Sequence, residues 1–208
     1  MIHDVRGAGT SALLVTFGSL ADVVAFHGGL TRAALSGVTE VVAGARTLLV
    51  RFDPARADAR SLRAHLDDVV PVPASDHGHA DPLVIPVTYD GEDLEAVAAT
   101  TGMTPDELVA WHTGQVWTSA FCGFAPGFSY LTGTAPSLDL PRRDTSRTAV
   151  PSGSVALAGE FSAVYPRTSP GGWQLIGRTS VPMWSLDRDP PALAPAGTRL
   201  RFVAADRA

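Results

Sequence analysis

The sequence predicts an α+β protein that consists of a small α+β domain, residues 1–75, and a β-barrel domain, residues 82–208. Helical and strand-like apolar patterns alternate through the first 70 residues. A Pro-rich, polar segment without periodicity follows at 71–82. Beyond Gln115 the chain consists of short apolar runs broken by Gly and Pro. Many short strands separated by turn residues are typical of a closed or nearly closed barrel.

The predicted elements of the first domain follow one another with short gaps. In chain order they are a buried strand at 11–17, a helix at 20–35 that stops at Gly37, strands at 38–42 and 47–52 paired across Gly44, and a helix that opens at Ser61. The last helix has Leu62, Leu66 and Val69 on one face. A β-α-β-β-α order in so few residues predicts a small sheet with helices on one side.

The segment at 71–82 is the predicted linker between the domains. It contains His77 and His79, and histidine is a common zinc ligand. Two His residues without a nearby third ligand make a poor metal site, because zinc sites in proteins use at least three protein ligands. The sequence therefore predicts no metal site.

The second domain begins with a predicted strand at 83–89 and two short helices. A helix start is indicated at Thr104, because its side chain can cap the helix, Pro105 suits the first turn and Glu107 can bond back to the cap amide. This helix ends at Gly114, and His112 falls in its last turn. A His in that place can cap or pack, or it can take part in catalysis, and both interpretations stay open.

The composition excludes several function classes. All 16 basic residues are Arg, so Schiff-base chemistry and a phosphate-binding loop ending in Gly-Lys-Ser/Thr are excluded within this chain. The net charge of −5 does not favour nucleic-acid binding. Cys122 is the single Cys, which fits a reducing compartment. No run approaches the roughly 18 apolar residues of a membrane span, so we expect a soluble, cytoplasmic protein.

The stretch from Phe121 to Val181 carries the candidate binding residues. It contains eight Gly and six Pro, interleaved with aromatic residues and five Arg. Gly and Pro fix turns and close approaches, whereas aromatic and Arg side chains build recognition surfaces. The predicted substrate-binding residues are Phe124, Pro126, Tyr130, Arg142, Arg147, Ser154, Trp173 and Gln174.

Three further residues, Glu160, His112 and Arg178, are predicted to be catalytic. Glu160 is the single acidic residue in the stretch 150–185, so its carboxylate is available for proton transfer or for an ion pair with a neighbouring Arg. The sequence contains no Gly-x-Ser-x-Gly nucleophile elbow. A nucleophile at Ser152 or Ser154 would need a base that only the fold could supply.

Several sequence blocks, taken together and in order, resemble the allophanate hydrolase subunit 1 family. That family includes the B-type subunits of 5-oxoprolinase and the sporulation-kinase inhibitor proteins. The blocks cover nearly the whole chain, and they are 45–50 with 53–54, Tyr89 with 93–94 and Val97, Glu107 with His112, 123–124 with 126–128 and 130–131, 141–143 with Arg147 and 150–151, 153–155 with 158–159, 165–166, and 169–178.

The resemblance implies a cyclophilin-like β-barrel in the second domain, similar to half of a biotin-dependent carboxyltransferase domain. It implies two partners, a homologous second barrel subunit and a third subunit of the lactam-utilisation type, with the active cleft where the two barrels meet. In such an assembly 5-oxo-L-proline is hydrolysed to L-glutamate with ATP. We expect ATP to be shared with the complex, and no cofactor to be bound by this chain alone.

The expected function is therefore that of the B-type subunit of an ATP-dependent 5-oxoprolinase, inactive without its partners. Two alternatives stay open at this point. One is a subunit of a biotin-dependent carboxyltransferase acting on urea or allophanate. The other is a non-enzymatic protein that inhibits a histidine kinase.

Overall fold

The structure is a computed structural model that describes residues 2–72 and 81–205. The chain divides into two compact units, Met1–His79 and Ala80–Ala208. Most of the predicted linker at 71–82, including His77 and His79, lies outside the described residues. Each unit has a buried core of its own and is described by itself.

The first unit is a four-stranded antiparallel sheet with two helices. Its elements are β1 (Ile2–Gly7), β2 (Ala12–Phe17), α1 (Leu20–Ala33), β3 (Val38–Ala43), β4 (Thr47–Phe52) and α2 (Ala59–Asp67). The strands lie in the order β1-β2-β4-β3. Alternate residues such as Leu13, Val15 and Val50 share one core with Val23 of α1 and Leu66 of α2. Both helices therefore pack on one face of the sheet, as the sequence predicts.

The first unit differs from the prediction at β1, at the start of α2 and at the end of α1, which stops at Ala33 rather than at 35. β1 was not predicted, because its residues include His, Asp and Arg and show little apolar alternation; it forms as an edge strand paired with β2. α2 begins at Ala59 rather than at Ser61. The carboxylate of Asp58 accepts hydrogen bonds from the N–H groups of Arg60 (3.0 Å) and Ser61 (2.9 Å). Asp is as good an N-cap residue as Ser. Asp58, which comes earlier in the chain, is therefore the N-cap of α2.

The second unit contains two short helices and nine strands among its described residues. Its elements are β5 (Leu83–Val87), α3 (Leu94–Thr101), α4 (Pro105–Thr113), β6 (Trp117–Cys122), β7 (Ser129–Gly133), β8 (Arg147–Val150), β9 (Ser154–Ala158), β10 (Phe161–Val164), β11 (Ser169–Gly171), β12 (Gln174–Arg178) and β13 (Arg199–Ala204). Seven strands form one sheet in the order β12-β9-β10-β7-β6-β13-β5, and β8 pairs with β11 in a separate ribbon.

The seven-stranded sheet curls until its two outer strands meet. Thr88, next to β5, and Arg178, at the end of β12, each donate a backbone N–H to the other's carbonyl oxygen at 2.9 Å. The interior is filled by side chains without solvent exposure, among them Leu131, Ile176 and Phe202. The nearly closed barrel predicted from the short strands is thus confirmed.

The predicted start of α4 is confirmed in detail. The Thr104 hydroxyl accepts the N–H of Glu107 at 3.2 Å, and the Glu107 carboxylate accepts the N–H of Thr104 at 2.7 Å. This reciprocal pair is a capping box. The helix ends with Gly114 at its C-cap, and His112 in the last turn is buried in the core of the unit.

Candidate functional site

The second unit contains a cavity of about 250 Å³ with largely aromatic walls, here named the aromatic cavity. Its lining residues are Phe124, Phe128, Tyr130, Arg142, Ser146, Tyr165, Pro170, Gly171, Gly172 and Trp173. Ligand pockets usually measure about 300–1,000 Å³. The aromatic cavity is smaller than that range, so it suits a small molecule.

The aromatic walls pack edge to face around Phe128. The Phe128 ring centroid lies 5.3 Å from that of Tyr165 and 5.4 Å from that of Trp173, with interplanar angles of 83° and 89°. Such T-shaped pairs set the positive edge of one ring against the negative face of another. Phe124 is 59% exposed, so the cavity opens to solvent beside it.

Two glycines let polar groups of the cavity approach the backbone. A Cβ at Gly171 would overlap the Tyr165 hydroxyl, and a Cβ at Gly172 would lie 2.9 Å from Ser146 Oγ. Burial raises the pKa of Tyr165, and the backbone of Trp173 and the charge of Arg142 offset only part of that rise. The Tyr165 side chain is therefore a neutral hydroxyl at pH 7.

Asp93, which was not among the predicted site residues, organises the chain beside the cavity. Its buried carboxylate accepts hydrogen bonds from Arg143 Nη1 (2.6 Å), from Arg147 Nη2 (2.9 and 3.0 Å) and from the N–H of Leu175 (2.7 Å). Burial raises the pKa of Asp93, but the hydrogen bonds from Arg147 and Leu175 and the charges of Arg147 and Arg143 together hold it below its usual value. The carboxylate therefore stays ionised.

The ion pairs determine which Arg can meet a ligand. Arg147 also binds Glu92, with Nη2 to Oε2 at 3.0 Å, and Arg178 binds Asp90, with Nε to Oδ2 at 2.8 Å. Arg142 lines the aromatic cavity and forms no ion pair within residues 2–72 and 81–205. It is the cation that the cavity presents.

The aromatic cavity brings together only part of the predicted substrate-binding set, namely Phe124, Tyr130, Arg142 and Trp173. Arg147 is held by the acidic side chains described above. Ser154 Oγ donates to the Pro151 carbonyl at 2.8 Å, and Gln174 Nε2 donates to the Pro141 carbonyl at 3.1 Å. Pro126 is exposed and does not line the cavity.

Phe128, Ser146 and Tyr165 also line the cavity but were not among the predicted substrate-binding residues. Phe128 and Tyr165 belong to the same Gly- and Pro-rich stretch as the predicted aromatic residues, and that signal could have identified them. Asp93 belongs to one of the blocks that carry the family resemblance, but by residue type alone an acidic residue just before a short helix is ordinary.

His112 is part of the core of the second unit rather than of the cavity. Its Nδ1 lies 2.7 Å from the Tyr89 hydroxyl, its Nε2 lies 2.9 Å from Ser162 Oγ, and its ring stacks on Phe202 at 4.4 Å. The side chain has no solvent exposure, and burial lowers the pKa of His112 to about 3. The ring is therefore neutral at pH 7, and these contacts place it in the packing of the core. The catalytic role of His112 stays a prediction.

The three predicted catalytic residues do not share a site. Glu160 lines a different cavity, of about 210 Å³, together with Trp111, Gln115 and Trp117. Arg178 is at the barrel closure, 69% exposed and paired with Asp90. The catalytic roles of Glu160 and Arg178 stay predictions.

A barrel preceded by a small α+β unit, with a cavity that carries Arg142, is consistent with the carboxyltransferase-type proteins that the sequence resembles. A family model described as carboxyltransferase domain, subdomain C and D, matches residues 3–194, and the chain belongs to that family. It is 37% identical to the 5-oxoprolinase B-type subunit of Haemophilus influenzae over 170 residues, covering 80% of this chain and 79% of the relative.

Two further relatives agree with this family. The chain is 42% identical to the 5-oxoprolinase B-type subunit of Bacillus subtilis over 122 residues, which is 57% of this chain and about half, 51%, of that relative. The crystal structure of TTHA0988 superimposes with a TM-score of 0.78 and 32% identity, covering 99% of this chain and 41% of that one. The chain thus corresponds to less than half of TTHA0988.

Two kinds of feature are absent from the part of the chain that the structure describes. Within residues 2–72 and 81–205, no helix is long and apolar enough to cross a membrane. Across the same residues, no group of three or more His, Cys, Asp or Glu is placed to hold a metal ion.

Proposed function

We propose that this chain is the B-type subunit of an ATP-dependent 5-oxoprolinase and that the aromatic cavity supplies part of its substrate site. The observation that carries the proposal is the 37% identity to the Haemophilus influenzae 5-oxoprolinase B-type subunit over most of both chains. The small size of the cavity supports it, because 5-oxo-L-proline is a compact ring.

The reaction explains why binding groups would be the main contribution of this chain. Amide resonance makes a lactam carbonyl a poor electrophile, so its oxygen has to be activated, which phosphoryl transfer from ATP would supply. One water then adds to the carbonyl carbon and the ring C–N bond breaks, which leaves ADP and the acyl phosphate of glutamate. A second water hydrolyses this acyl phosphate to L-glutamate and phosphate. The aromatic walls and Arg142 would hold the ring in place for that activation.

The proposed partners are a homologous second barrel subunit and a third subunit of the lactam-utilisation type, in a soluble cytoplasmic complex. The relatives are each named as one lettered subunit of 5-oxoprolinase, which indicates that those proteins work with other subunits. These relatives do not favour the two alternatives that the sequence left open, the biotin-dependent carboxyltransferase and the kinase inhibitor.

The test is an assay of the reconstituted complex. The purified chain is mixed with both partner subunits, and ATP hydrolysis is measured with and without 5-oxo-L-proline, with each subunit omitted in turn as the control. We expect hydrolysis that depends on 5-oxo-L-proline and on this chain. If the complete mixture hydrolyses no ATP in response to 5-oxo-L-proline, the proposal is wrong.

A further inference from the structure

Arg142 lies between two residues whose backbones are held by hydrogen bonds, and no described residue pairs with its own side chain. The Pro141 carbonyl, on one side, accepts a hydrogen bond from Gln174 Nε2 at 3.1 Å. On the other side, the Arg143 N–H donates to the Gly172 carbonyl at 2.8 Å, and the Arg143 guanidinium is bound by Asp93. No described group outside Arg142 itself accepts a hydrogen bond from its guanidinium.

This arrangement leaves one positive charge at an aromatic cavity. A guanidinium presents a planar fork of donors that matches the two oxygens of a carboxylate. The influence of Arg142 on the pKa of Tyr165 agrees with a guanidinium that lies near the cavity's polar groups. Asp93 pairs with Arg143 and Arg147, and Glu92 also pairs with Arg147, so two carboxylates balance these two Arg residues. Among the described residues Arg142 is therefore the cation that the cavity offers to an anion.

The remaining walls indicate what the anion is attached to. The rings of Phe128, Tyr165 and Trp173 meet edge to face and offer apolar surface to a flat molecule. A doubly charged phosphate would lose more hydration in such surroundings than one cation could restore. A ring with one carboxylate fits better, because its apolar part meets the aromatic walls and its charge meets the Arg.

We infer that the aromatic cavity is a carboxylate-recognition site, in which Arg142 binds the carboxylate of a small cyclic acid and the surrounding aromatic rings hold its ring. The inference rests on the proposed function in one respect, since 5-oxo-L-proline is such an acid. It goes further in making Arg142 the residue that selects the charged substrate, and in assigning Asp93 and Gln174 to hold the backbone of that Arg in place.

The test is calorimetric titration of the purified full chain. The ligands are 5-oxo-L-proline, 2-pyrrolidone, which is the same lactam without the carboxylate, and inorganic phosphate. The variants are R142Q, R142K and the matched control R167Q, which removes an exposed Arg that does not line the cavity. Near-ultraviolet circular dichroism checks that each variant is folded.

We expect 5-oxo-L-proline to bind the wild-type chain and R167Q equally. R142Q should weaken that binding by about 10- to 100-fold, because a charge-assisted pair is lost. R142K should bind 5-oxo-L-proline with an affinity between those of wild type and R142Q, since an ammonium group keeps the charge but not the planar fork of donors. 2-Pyrrolidone should bind weakly and equally to wild type and R142Q.

Three results would overturn the inference. They are equal binding of 5-oxo-L-proline to wild type and R142Q, phosphate binding as tight as carboxylate binding, and the absence of saturable binding of any cyclic acid.

Benzoate and pyridine-2-carboxylate are titrated as well, to separate this inference from the proposed function. If these two acids bind through Arg142 and 5-oxo-L-proline does not bind, the site is as inferred and the proposed substrate is wrong. If the complex hydrolyses ATP with 5-oxo-L-proline but R142Q binds 5-oxo-L-proline as tightly as wild type does, the proposed function holds and the inference fails.

Discussion

Asp93 and Arg147 lie 54 positions apart in the sequence, and in the structure Arg147 Nη2 is 2.9 Å from Asp93 Oδ2 and 3.0 Å from Oδ1. The same carboxylate binds Arg143 and the N–H of Leu175. Asp93 thereby joins the segment that carries Arg142 to the start of β12. Loss of this carboxylate should loosen one wall of the aromatic cavity.

The substitution D93N is expected to destabilise the second unit by about 2–4 kcal/mol, because it leaves two guanidinium groups beside a neutral amide. The matched control is D90N, whose partner Arg178 is exposed, and an exposed pair is worth under about 1 kcal/mol. Urea unfolding followed by Trp fluorescence measures the loss in free energy of unfolding for both variants, since all four Trp residues lie in the second unit. Equal effects of D93N and D90N would contradict a structural role for the Asp93 cluster.

The buried His112 makes stability depend on pH. Because its pKa falls from 6.5 to about 3 on folding, the unfolded chain binds the proton more readily at pH values between these two. The stabilising contribution of the neutral ring is complete above pH 6.5 and is lost progressively as the pH falls towards 3. We expect urea unfolding of the H112Q variant to show a shallower decline over this range than wild type. H65Q, which alters an exposed His in the first unit, is the control and should keep the wild-type slope.

Gly171 has little room for a side chain, because a Cβ there would overlap the Tyr165 hydroxyl. G171A is expected to cost about 1–3 kcal/mol through overpacking. The double variant G171A/Y165F should recover part of this loss, which a double-mutant cycle measures as coupling. G123A is the control, since its new Cβ would lie at an ordinary 3.6 Å from Tyr130. Strictly additive effects of G171A and Y165F would show that the two residues do not constrain each other.

Arg178 tests whether the barrel closure takes part in the proposed reaction. Its side chain is 69% exposed and pairs with Asp90, so R178A should leave the chain folded, with a loss below about 1 kcal/mol. If Arg178 contacts substrate, R178A lowers 5-oxoproline-dependent ATP hydrolysis by about tenfold or more. D90A removes the same ion pair but keeps the guanidinium, and it should stay within about threefold of wild type. Equal losses of ATP hydrolysis in R178A and D90A would mean that activity depends on the ion pair and not on a contact between Arg178 and substrate.

Much of the fold was predictable because its signals are local. The capping box at Thr104 and Glu107 involves residues three positions apart. The helix α1 (Leu20–Ala33), predicted at 20–35, follows from apolar spacing. The start of α2 was misplaced because Asp58 and Ser61 are both good caps, and only the backbone conformation chooses between them. β1 was missed because an edge strand needs little apolar alternation.

The residue types of the candidate site were predictable from the sequence, but the role of each individual residue was not. The aromatic residues and Arg of the Gly- and Pro-rich stretch were recognised, yet nothing local distinguishes Arg142 from Arg143 and Arg147. Their difference arises from Asp93, about 50 positions away in the chain. His112 shows the same limit, because a last-turn His is compatible with capping, packing or catalysis until its burial is known.

By itself, the sequence determined the order of the elements from β2 to α4, the absence of Lys and the stretch of chain that supplies the aromatic rings, because these depend on residue type and near-neighbour spacing. The tertiary structure alone decided that the barrel closes between Thr88 and Arg178, that His112 is buried and neutral, and that no described residue pairs with Arg142 at the cavity. The physical reason is that these properties depend on charges, hydrogen bonds and burial between residues far apart in sequence, and folding is what brings those residues into contact.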